Sequence, residues 1–167
     1  MPPISTIYWD SCIFIAWLKN EQRAPGEMDG VYECVSNVQS GRARLITSVL
    51  TRTEVFEANL EQHVRDQYSL LLNRRNCQIL DNDLRVSNLA REIREYYQNQ
   101  SKLDGLPDLA TPDAIHLATA IHYNANAFWT FDDGGRGGRS LLSLNGNVAG
   151  HPLVVCKPVA TQLWLGV

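Results

Sequence analysis

The chain has 167 residues, of which 44% are hydrophobic and 20% charged, and its formal net charge is −3. These values are ordinary for a globular protein, and the length predicts a single domain over residues 1–167 that can bury a core without disulfides or structural zinc. The acidic balance excludes a protein that binds nucleic acid through bulk positive charge. A nucleic-acid substrate therefore requires a local group of cations.

The four cysteines, Cys12, Cys34, Cys77 and Cys156, form no C-x-x-C pair and no spacing typical of a zinc site. We expect free thiols, with Cys12 and Cys156 buried because they stand in apolar runs. The N-terminus lacks the basic segment of a signal peptide, and no apolar stretch reaches the roughly 18 residues that span a bilayer. A cytoplasmic protein without membrane contact is expected.

The predicted elements alternate between strand and helix. In chain order they are a strand at 4–9, helices at 11–18 and 28–39, a strand at 44–49, helices at 51–60 and 63–73, a strand at 77–80, helices at 84–100 and 111–123, and strands at 127–131 and 153–156. Thr111 and Pro112 provide the expected N-cap and first residue of the last helix. The alternation predicts an α/β sandwich with a largely parallel sheet.

Four acidic residues stand at the ends of predicted strands or the starts of predicted helices. Asp10 and Asp132 each follow a strand, Glu54 lies in the helix after the second strand, and Asp113 lies in the first turn of a helix. In such sheets the functional crevice lies beyond the carboxyl ends of the strands, so these positions are expected to converge. Carboxylates in one cleft raise one another's pKa and need protons or a cation, which favours a hard divalent metal.

Each acid also has a simpler structural explanation. Asp10 can cap the following helix, Glu54 stands three residues after a threonine at capping-box spacing, and Asp113 can complement the helix dipole. Asp132 and Asp133 precede glycines and suit a turn. Asp10, however, lies between two apolar runs where an unpaired charge is costly, and its second oxygen would remain available to a metal.

Other chemistry has little support in the sequence. There is no phosphate-binding G-x-x-x-x-G-K-[ST] loop and no G-x-S-x-G nucleophile elbow. His116 lies three residues after Asp113 on the same helix face, where packing or a supporting contact is favoured over catalysis. The glycine-rich loop at 134–139 can bind an anion through backbone amides, although a flexible surface loop is the simpler interpretation.

Three segments resemble the PIN-domain family of metal-dependent ribonucleases, in particular the VapC-like toxins of prokaryotic toxin–antitoxin pairs. They are IYWDSCIFIAWL (7–18), TSVLTRTEVFEA (47–58) and TPDAIHLATAIHYNANAFWTFDD (111–133), in the family's order. The resemblance implies a three-layer α/β/α fold with a central, mainly parallel sheet, bound Mg²⁺ or Mn²⁺, and cleavage of single-stranded RNA. Extra residues at 23–30 and 134–147 leave the acids intact but leave substrate choice and partner geometry open.

The resemblance also implies the roles of individual residues. The catalytic quartet is Asp10, Glu54, Asp113 and Asp132, and Ser11 and Thr130 are its polar supports. From their positions in the sequence, we add His116 and Asp133 as supporting residues. We assign Asp10 and Asp113 as the main metal ligands. Glu54 and Asp132 bind a second ion or hold an ordered water, with Asp133 as an alternative fourth acid. Whether one or two ions act stays open.

RNA that enters an acidic cleft needs nearby cations to bind its phosphates. Arg136 and Arg139, in the loop after the last acid, are the best placed, and we predict that they bind RNA. Arg42, Arg44 and Arg52 flank the second strand and are further candidates. A solubilising surface role is the alternative for each arginine.

The family resemblance implies the toxin of a type II pair, an endoribonuclease for tRNA, mRNA or rRNA that forms a homodimer and binds a cognate antitoxin protein. Trp17, Tyr32, Tyr68 and Leu72 are candidate interface residues, with core packing as the alternative. Two other functions stay open. One is a non-catalytic RNA- or protein-binding PIN module, which the intact acids disfavour, and the other is a structure-specific DNA nuclease.

Overall fold

The computed structural model describes residues 5–135 and 137–160. The strands are β1 (Ser5–Trp9), β2 (Ala43–Ser48), β3 (Cys77–Leu80), β4 (Ala127–Trp129) and β5 (Val155–Cys156). They form one five-stranded sheet in the order β3-β2-β1-β4-β5, and each neighbouring pair is parallel. The predicted α/β class with a parallel sheet is confirmed.

Helices cover both faces of this sheet. They are α1 (Ser11–Leu18), α2 (Glu27–Gln39), α3 (Leu50–Glu57), α4 (Gln62–Leu72), α5 (Leu84–Asp104) and α6 (Thr111–His122), with a short 3-10 helix at Leu142–Leu144. One hydrophobic cluster lies against α1, α2 and α4, and a second lies against α5 and α6. Trp9 belongs to the first and Tyr8 to the second, because successive strand side chains point to opposite faces. The three-layer arrangement is thereby confirmed.

The parallel topology brings all strand ends of one polarity to the same edge. Asp10 directly follows β1, and its N–H donates to the carbonyl of Trp129, the last residue of β4, at 3.1 Å. The Thr47 hydroxyl at the end of β2 donates to the Trp9 carbonyl at 2.9 Å. These bonds hold the carboxyl ends of three neighbouring strands together, and the predicted acids lie just beyond them.

Most predicted elements are present with shifted ends: the helix predicted at 51–60 ends at Glu57, and the strand predicted at 127–131 ends at Trp129. Three other predictions need correction. The last strand is two residues, Val155–Cys156, rather than residues 153–156. Thr111 is the first helical residue and not the N-cap, which is Ala110 and makes no side-chain hydrogen bond. The helix predicted to stop at residue 100 continues to Asp104, where Gly105 adopts a φ of 70° and terminates it. The predicted strand residue 4 lies outside the described residues.

Two of the candidate interface residues are core residues. Trp17 is 7% exposed and Tyr68 is 3% exposed, so their assignment to an interface is wrong. Their hydrophobic area is already removed from water within the first cluster. Leu72 is half-buried against the same cluster, whereas Tyr32 is 42% exposed.

The cysteines within the described residues are free, as expected. Cys34 and Cys77 are buried, and burial raises the pKa of each thiol to about 12. Cys12 and Cys156 are only half-buried, which corrects the expectation that their apolar runs would cover them fully. No helix in the described parts of the chain is long and apolar enough to cross a membrane.

Candidate active site

A cleft of about 510 Å³ opens at the carboxyl edge of the sheet. The acidic residues that line it are Asp10, Glu21, Glu54, Asp113, Asp132 and Asp133. The structure therefore brings together the four predicted acids from four separate parts of the chain. Ser11 also lines the cleft, while Thr130 and His116 are buried behind it.

Asp10 is held by hydrogen bonds to both of its carboxylate oxygens. Oδ1 accepts the Ser11 N–H at 2.7 Å, which makes Asp10 the N-cap of α1. Oδ2 accepts the Thr130 hydroxyl at 2.8 Å and the Cys12 thiol at 3.3 Å. The Thr130 hydroxyl in turn accepts the Asp132 N–H at 3.0 Å. Asp10 is thus both a helix cap and part of the acidic cluster, and Ser11 and Thr130 support it.

Glu54 is bound by a histidine from another helix. Its Oε2 lies 2.8 Å from Nε2 of His116, and the same nitrogen lies 3.9 Å from Oδ1 of Asp10. Burial acts to raise the pKa of Glu54, but the hydrogen bond and charge of His116, with a hydrogen bond from Ser11, outweigh it and keep that pKa below its ordinary value. Burial acts to lower the pKa of His116, yet the nearby carboxylates raise it.

The structural alternative proposed for Glu54 is not realised, whereas Asp113 does lie in the first turn of α6, where its charge complements the helix dipole. No capping box forms, because the Thr51 hydroxyl shares a hydrogen bond with Thr47 at 2.7 Å and the Glu54 carboxylate is bound to His116. Helix α6 has no side-chain cap, and among the described residues no hydrogen bond reaches the Asp113 carboxylate. The end of its own helix therefore does not explain Glu54, and the helix dipole does not account for the closeness of Asp113 to Asp10 and Asp132.

The pKa of Asp113 indicates that negative charge in the cluster is not fully balanced by nearby cations. Burial, followed by the negative charges of Asp10 and Asp132, raises the pKa of Asp113 to about 7. Glu54 adds to this effect, and His116 opposes it. A cation between these carboxylates would remove the repulsion, and hard carboxylate oxygens are the ligands that Mg²⁺ and Mn²⁺ prefer. The residues present therefore fit a divalent ion.

Asp132 and Asp133 both form turns, as their glycine neighbours predict. Oδ1 of Asp132 accepts the Gly134 N–H at 2.8 Å, and Oδ1 of Asp133 accepts the Gly135 N–H at 3.0 Å. Asp132 is half-buried and its charge contributes to the raised pKa of Asp113, whereas Asp133 is exposed. This difference favours Asp132 as the fourth acid.

His116 lies close enough to the acids to be considered as a metal ligand. One ligand atom from each of Asp10, Glu54 and His116 lies within 4.8 Å of the other two. Both ring nitrogens are already engaged, however, because Nδ1 lies 2.6 Å from the Tyr8 hydroxyl and Nε2 lies 2.8 Å from Glu54. We therefore favour the four carboxylates as the ligand set and His116 as a hydrogen-bond donor to it.

The prediction that Arg139 binds RNA is wrong. Arg139 is 6% exposed, and its guanidinium binds Asp104 at 3.3 Å and the Pro107 carbonyl at 2.9 Å. The same group lies over the Tyr97 ring, 5.0 Å from its centroid. These contacts turn the side chain inward against α5 and the segment after it, and Arg139 is not among the residues that line the cleft. Arg136 lies outside the described residues.

Replacing Arg139 should therefore change stability rather than RNA binding. We expect Arg139→Met to lower the melting temperature by roughly 5–10 °C, because the charge-assisted hydrogen bonds to Asp104, the bond to the Pro107 carbonyl and the contact with the Tyr97 ring are all lost. The RNA affinity of the folded protein should stay within about twofold of the wild type, since the lost contacts are internal. Thermal unfolding and RNA binding below the transition test this. A loss of affinity with unchanged stability would restore Arg139 as an RNA contact.

Three further arginines were candidates for RNA binding. Arg42 and Arg44 lie at the amino end of β2, opposite the cleft, and bind the side chains of Asn37 and Gln78. They are excluded from the cleft by the direction of the strand. Arg52 is exposed on α3 and is not among the residues that line the cleft.

Arg23 was not predicted to bind RNA, yet it lines the acidic cleft. Its guanidinium carbon lies 4.0 Å from the centroid of the Phe131 ring, and Nη2 and Nε donate to Glu21 at 2.7 and 3.2 Å. A cation over an aromatic face is held by the ring quadrupole. In the sequence, Arg23 is distinguished by its place in the segment 23–30, where this chain has extra residues in the comparison with the VapC-like family.

The fold and the cleft define a three-layer α/β/α protein that gathers carboxylates at the carboxyl edge of a parallel sheet. The family model of the PIN domain matches residues 7–135, a range that contains all four acids, and the chain belongs to this family. Members are generally nucleases, and the chain is accordingly assigned to that class.

A solved structure shows the same fold. A chain of VapBC2 from Rickettsia felis, in a crystal structure bound to a DNA fragment from their promoter, is similar with a TM-score of 0.56 and 14% identity. The match covers 79% of this chain and 92% of that chain. No curated protein matches the sequence.

Proposed function

We propose that this protein is an endoribonuclease that requires Mg²⁺ or Mn²⁺, cleaves single-stranded RNA, and acts as the toxin of a type II toxin–antitoxin pair. The observation that carries the proposal is the convergence of Asp10, Glu54, Asp113 and Asp132 in one cleft. Burial there, together with the charges of the neighbouring acids, raises the pKa of Asp113 to about 7. The family match supports nuclease chemistry, and the likeness to a VapBC2 chain supports the toxin role.

The side chains of the site have separate tasks in this proposal. Asp10 and Asp113 are the main ligands, and the hydrogen bonds from Ser11 and Thr130 fix the orientation of the Asp10 carboxylate. Glu54 and Asp132 hold a second ion or orient the attacking water. A bound divalent ion supplies Lewis-acid stabilisation of the phosphate oxygens and lowers the pKa of water. Because the four acids lie together at the carboxyl edge of the sheet, they are aligned before the substrate arrives.

Arg23 is the proposed contact for an RNA phosphate at this cleft. Nη1 is not among the atoms that bind Glu21, so it can donate to a phosphate while Phe131 and Glu21 keep the guanidinium in place. We expect Arg23→Gln to weaken RNA binding several-fold and to reduce the salt slope by about 0.7 for one lost single-strand phosphate contact.

This prediction is measured by fluorescence anisotropy of labelled RNA at several salt concentrations, in the Asp10→Asn background so that no RNA is cut. Arg75→Gln is the matched control, because Arg75 is exposed at the opposite edge of the sheet, beside Arg44. Equal salt slopes for both variants would remove Arg23 from the proposal.

The function itself is tested by incubating the purified protein with single-stranded RNA, single-stranded DNA and branched DNA. Each substrate is combined with Mg²⁺, Mn²⁺ or a chelator, and Asp10→Asn protein runs alongside. Cleavage of RNA alone, dependent on metal and on Asp10, supports the proposal. Cleavage of branched DNA indicates the structure-specific nuclease instead, and RNA binding without any cleavage indicates a non-catalytic module.

The toxin role requires a cognate antitoxin protein, and we propose that it neutralises the protein by inserting a segment into the acidic cleft. We further propose that the chain acts as a single domain in the cytoplasm and forms a homodimer. A short reading frame beside the gene whose product restores growth upon co-expression supports the antitoxin. Sedimentation at several protein concentrations measures the oligomeric state.

A further inference from the structure

A buried chain of hydrogen bonds runs from the backbone of β2 to Glu54. The Ser48 N–H donates to the Tyr8 hydroxyl at 3.0 Å, and that hydroxyl lies 2.6 Å from Nδ1 of His116. On the other side of the ring, Nε2 of His116 lies 2.8 Å from Oε2 of Glu54. Tyr8 is 0% exposed and His116 is 1% exposed, so solvent cannot substitute for either partner.

The order of donors along this chain follows from its first member. A backbone N–H can only donate, so the Tyr8 oxygen accepts from Ser48. In the neutral ring in which Tyr8 donates to Nδ1, and equally in the protonated ring, Nε2 of His116 carries a hydrogen that faces Glu54. Every hydrogen bond in the chain is satisfied in this arrangement and points toward the carboxylate.

This arrangement also argues against direct metal binding by His116. A ligand nitrogen must present its lone pair, so Nε2 would have to give its hydrogen to Nδ1. The Tyr8 hydroxyl would then accept hydrogen bonds from both Ser48 and His116, and Glu54 would lose the Nε2 hydrogen bond that holds its carboxylate. Such a loss is costly inside a protein.

Glu54 needs such support more than the other acids do. Its side chain is long and flexible, and α3, which carries it, has only 8 residues and no side-chain cap. Asp10, in contrast, is fixed by a cap and by Thr130. A carboxylate that is already oriented loses less conformational freedom when it binds an ion, which raises affinity.

We propose that Tyr8 and His116 are positioning residues that hold the Glu54 carboxylate where it binds the catalytic ion or its ordered water. This inference rests on the proposed function, because it assigns Glu54 to the metal site. In this proposal His116 acts on the ion through its hydrogen bond to Glu54 and touches neither the substrate nor the ion. Hydrogen-bonded partners behind metal ligands typically change metal affinity or activity by about 10- to 100-fold when removed.

The test compares His116→Leu with His116→Gln by titrating the purified proteins with Mn²⁺ alone, followed by calorimetry or by electron paramagnetic resonance. Leucine removes the donor, whereas glutamine can place an amide N–H near the position of Nε2. We expect His116→Leu to weaken Mn²⁺ binding by about 10- to 100-fold, and His116→Gln to recover most of the loss. In RNA cleavage, kcat should fall at limiting metal while KM for RNA stays within about twofold.

His122→Leu is the matched control, because His122 ends the same helix, is half-buried, contacts the neighbouring Tyr123 ring and is not among the residues that line the cleft. It should bind Mn²⁺ like the wild type. A second control combines His116→Leu with Glu54→Ala in one chain. In a Glu54→Ala background, His116→Leu should cost less than about twofold further, since the group through which it acts is gone.

The outcomes separate the possible explanations. Wild-type Mn²⁺ affinity in folded His116→Leu protein overturns the inference, and a further large loss in the Glu54→Ala background makes His116 a direct ligand. If His116→Leu does not fold, Tyr8→Phe decides, because it keeps the ring stacked on Phe128 and removes only the hydroxyl. Unchanged Mn²⁺ binding in Tyr8→Phe then overturns the inference. Wild-type protein that binds Mn²⁺ but cuts no RNA contradicts the proposed function alone.

Discussion

Asp10→Asn should reduce RNA cleavage by at least about a thousandfold, equivalent to roughly 4 kcal/mol of transition-state stabilisation. Asp10 is the most enclosed of the four acids, at 6% exposed, and contributes its carboxylate to the centre of the cluster. Asparagine has nearly the same shape but no charge, so it is a poor ligand for a hard cation. The measurement is the initial rate on labelled RNA with saturating Mg²⁺.

The fold should survive this substitution. Asparagine caps helices about as well as aspartate, so the Ser11 N–H keeps its acceptor. Asp83→Asn is the matched control, because Asp83 is the N-cap of α5, accepts the N–H groups of Arg85 and Val86, and is exposed. That variant should cleave RNA at the wild-type rate. Full activity in Asp10→Asn protein would show that the acidic cluster has no catalytic role.

Stability of the metal-free protein should fall as the pH rises from about 4 to above 7. Burial and the charges of Asp10 and Asp132 raise the pKa of Asp113 from 3.8 to about 7 in the folded state. Between these values the folded protein holds a proton that the unfolded chain releases, so a higher pH favours unfolding. His116, whose pKa is also raised, acts in the same direction near neutral pH. Glu54, whose pKa is lowered, contributes stability that is lost only in acid.

The expected size of the effect is on the order of 2–4 kcal/mol, with the lower end allowing for the partial exposure of Asp113. The melting temperature should fall by roughly 5–10 °C between pH 5 and pH 8 in the presence of a chelator. Excess Mn²⁺ at pH 8 should restore it, since about a hundredfold excess over Kd adds about 2.7 kcal/mol.

Asp113→Asn is the informative variant for this prediction. It removes the titrating group, so its melting temperature should depend much less on pH and at pH 8 should equal or exceed that of the metal-free wild type. RNA cleavage should be lost at the same time. A large fall in melting temperature would instead mean that Asp113 mainly stabilises its helix through the dipole at the first turn of α6.

The convergence of the acids could be predicted because it depends on chain order and sheet polarity. Asp10 and Asp132 follow strands, and once the strands are parallel their carboxyl ends must share one edge. The roles of Asp10 as both cap and site residue, and of Asp132 as a turn residue, were also accessible, because each depends on the next one or two residues.

The partners of long polar side chains could not be predicted in this way. His116 meets Glu54 across 62 positions of the chain and Tyr8 across 108, and no local pattern encodes either pairing. The partners of the arginines could not be predicted either. Arg139 follows the acids closely in sequence but pairs with Asp104, 35 positions earlier, and turns inward.

The amino-acid sequence by itself therefore determined the alternation of strands and helices, the parallel sheet and the four acids at its carboxyl edge. These features follow from hydrophobic periodicity and from the steric rules for connecting parallel strands, both of which act over short stretches of chain. Only the tertiary structure decided that Arg23 rather than Arg139 faces the cleft, and that His116 holds Glu54. Such pairings depend on how distant helices pack on the two faces of the sheet, and they are decided by which donors and acceptors are buried together.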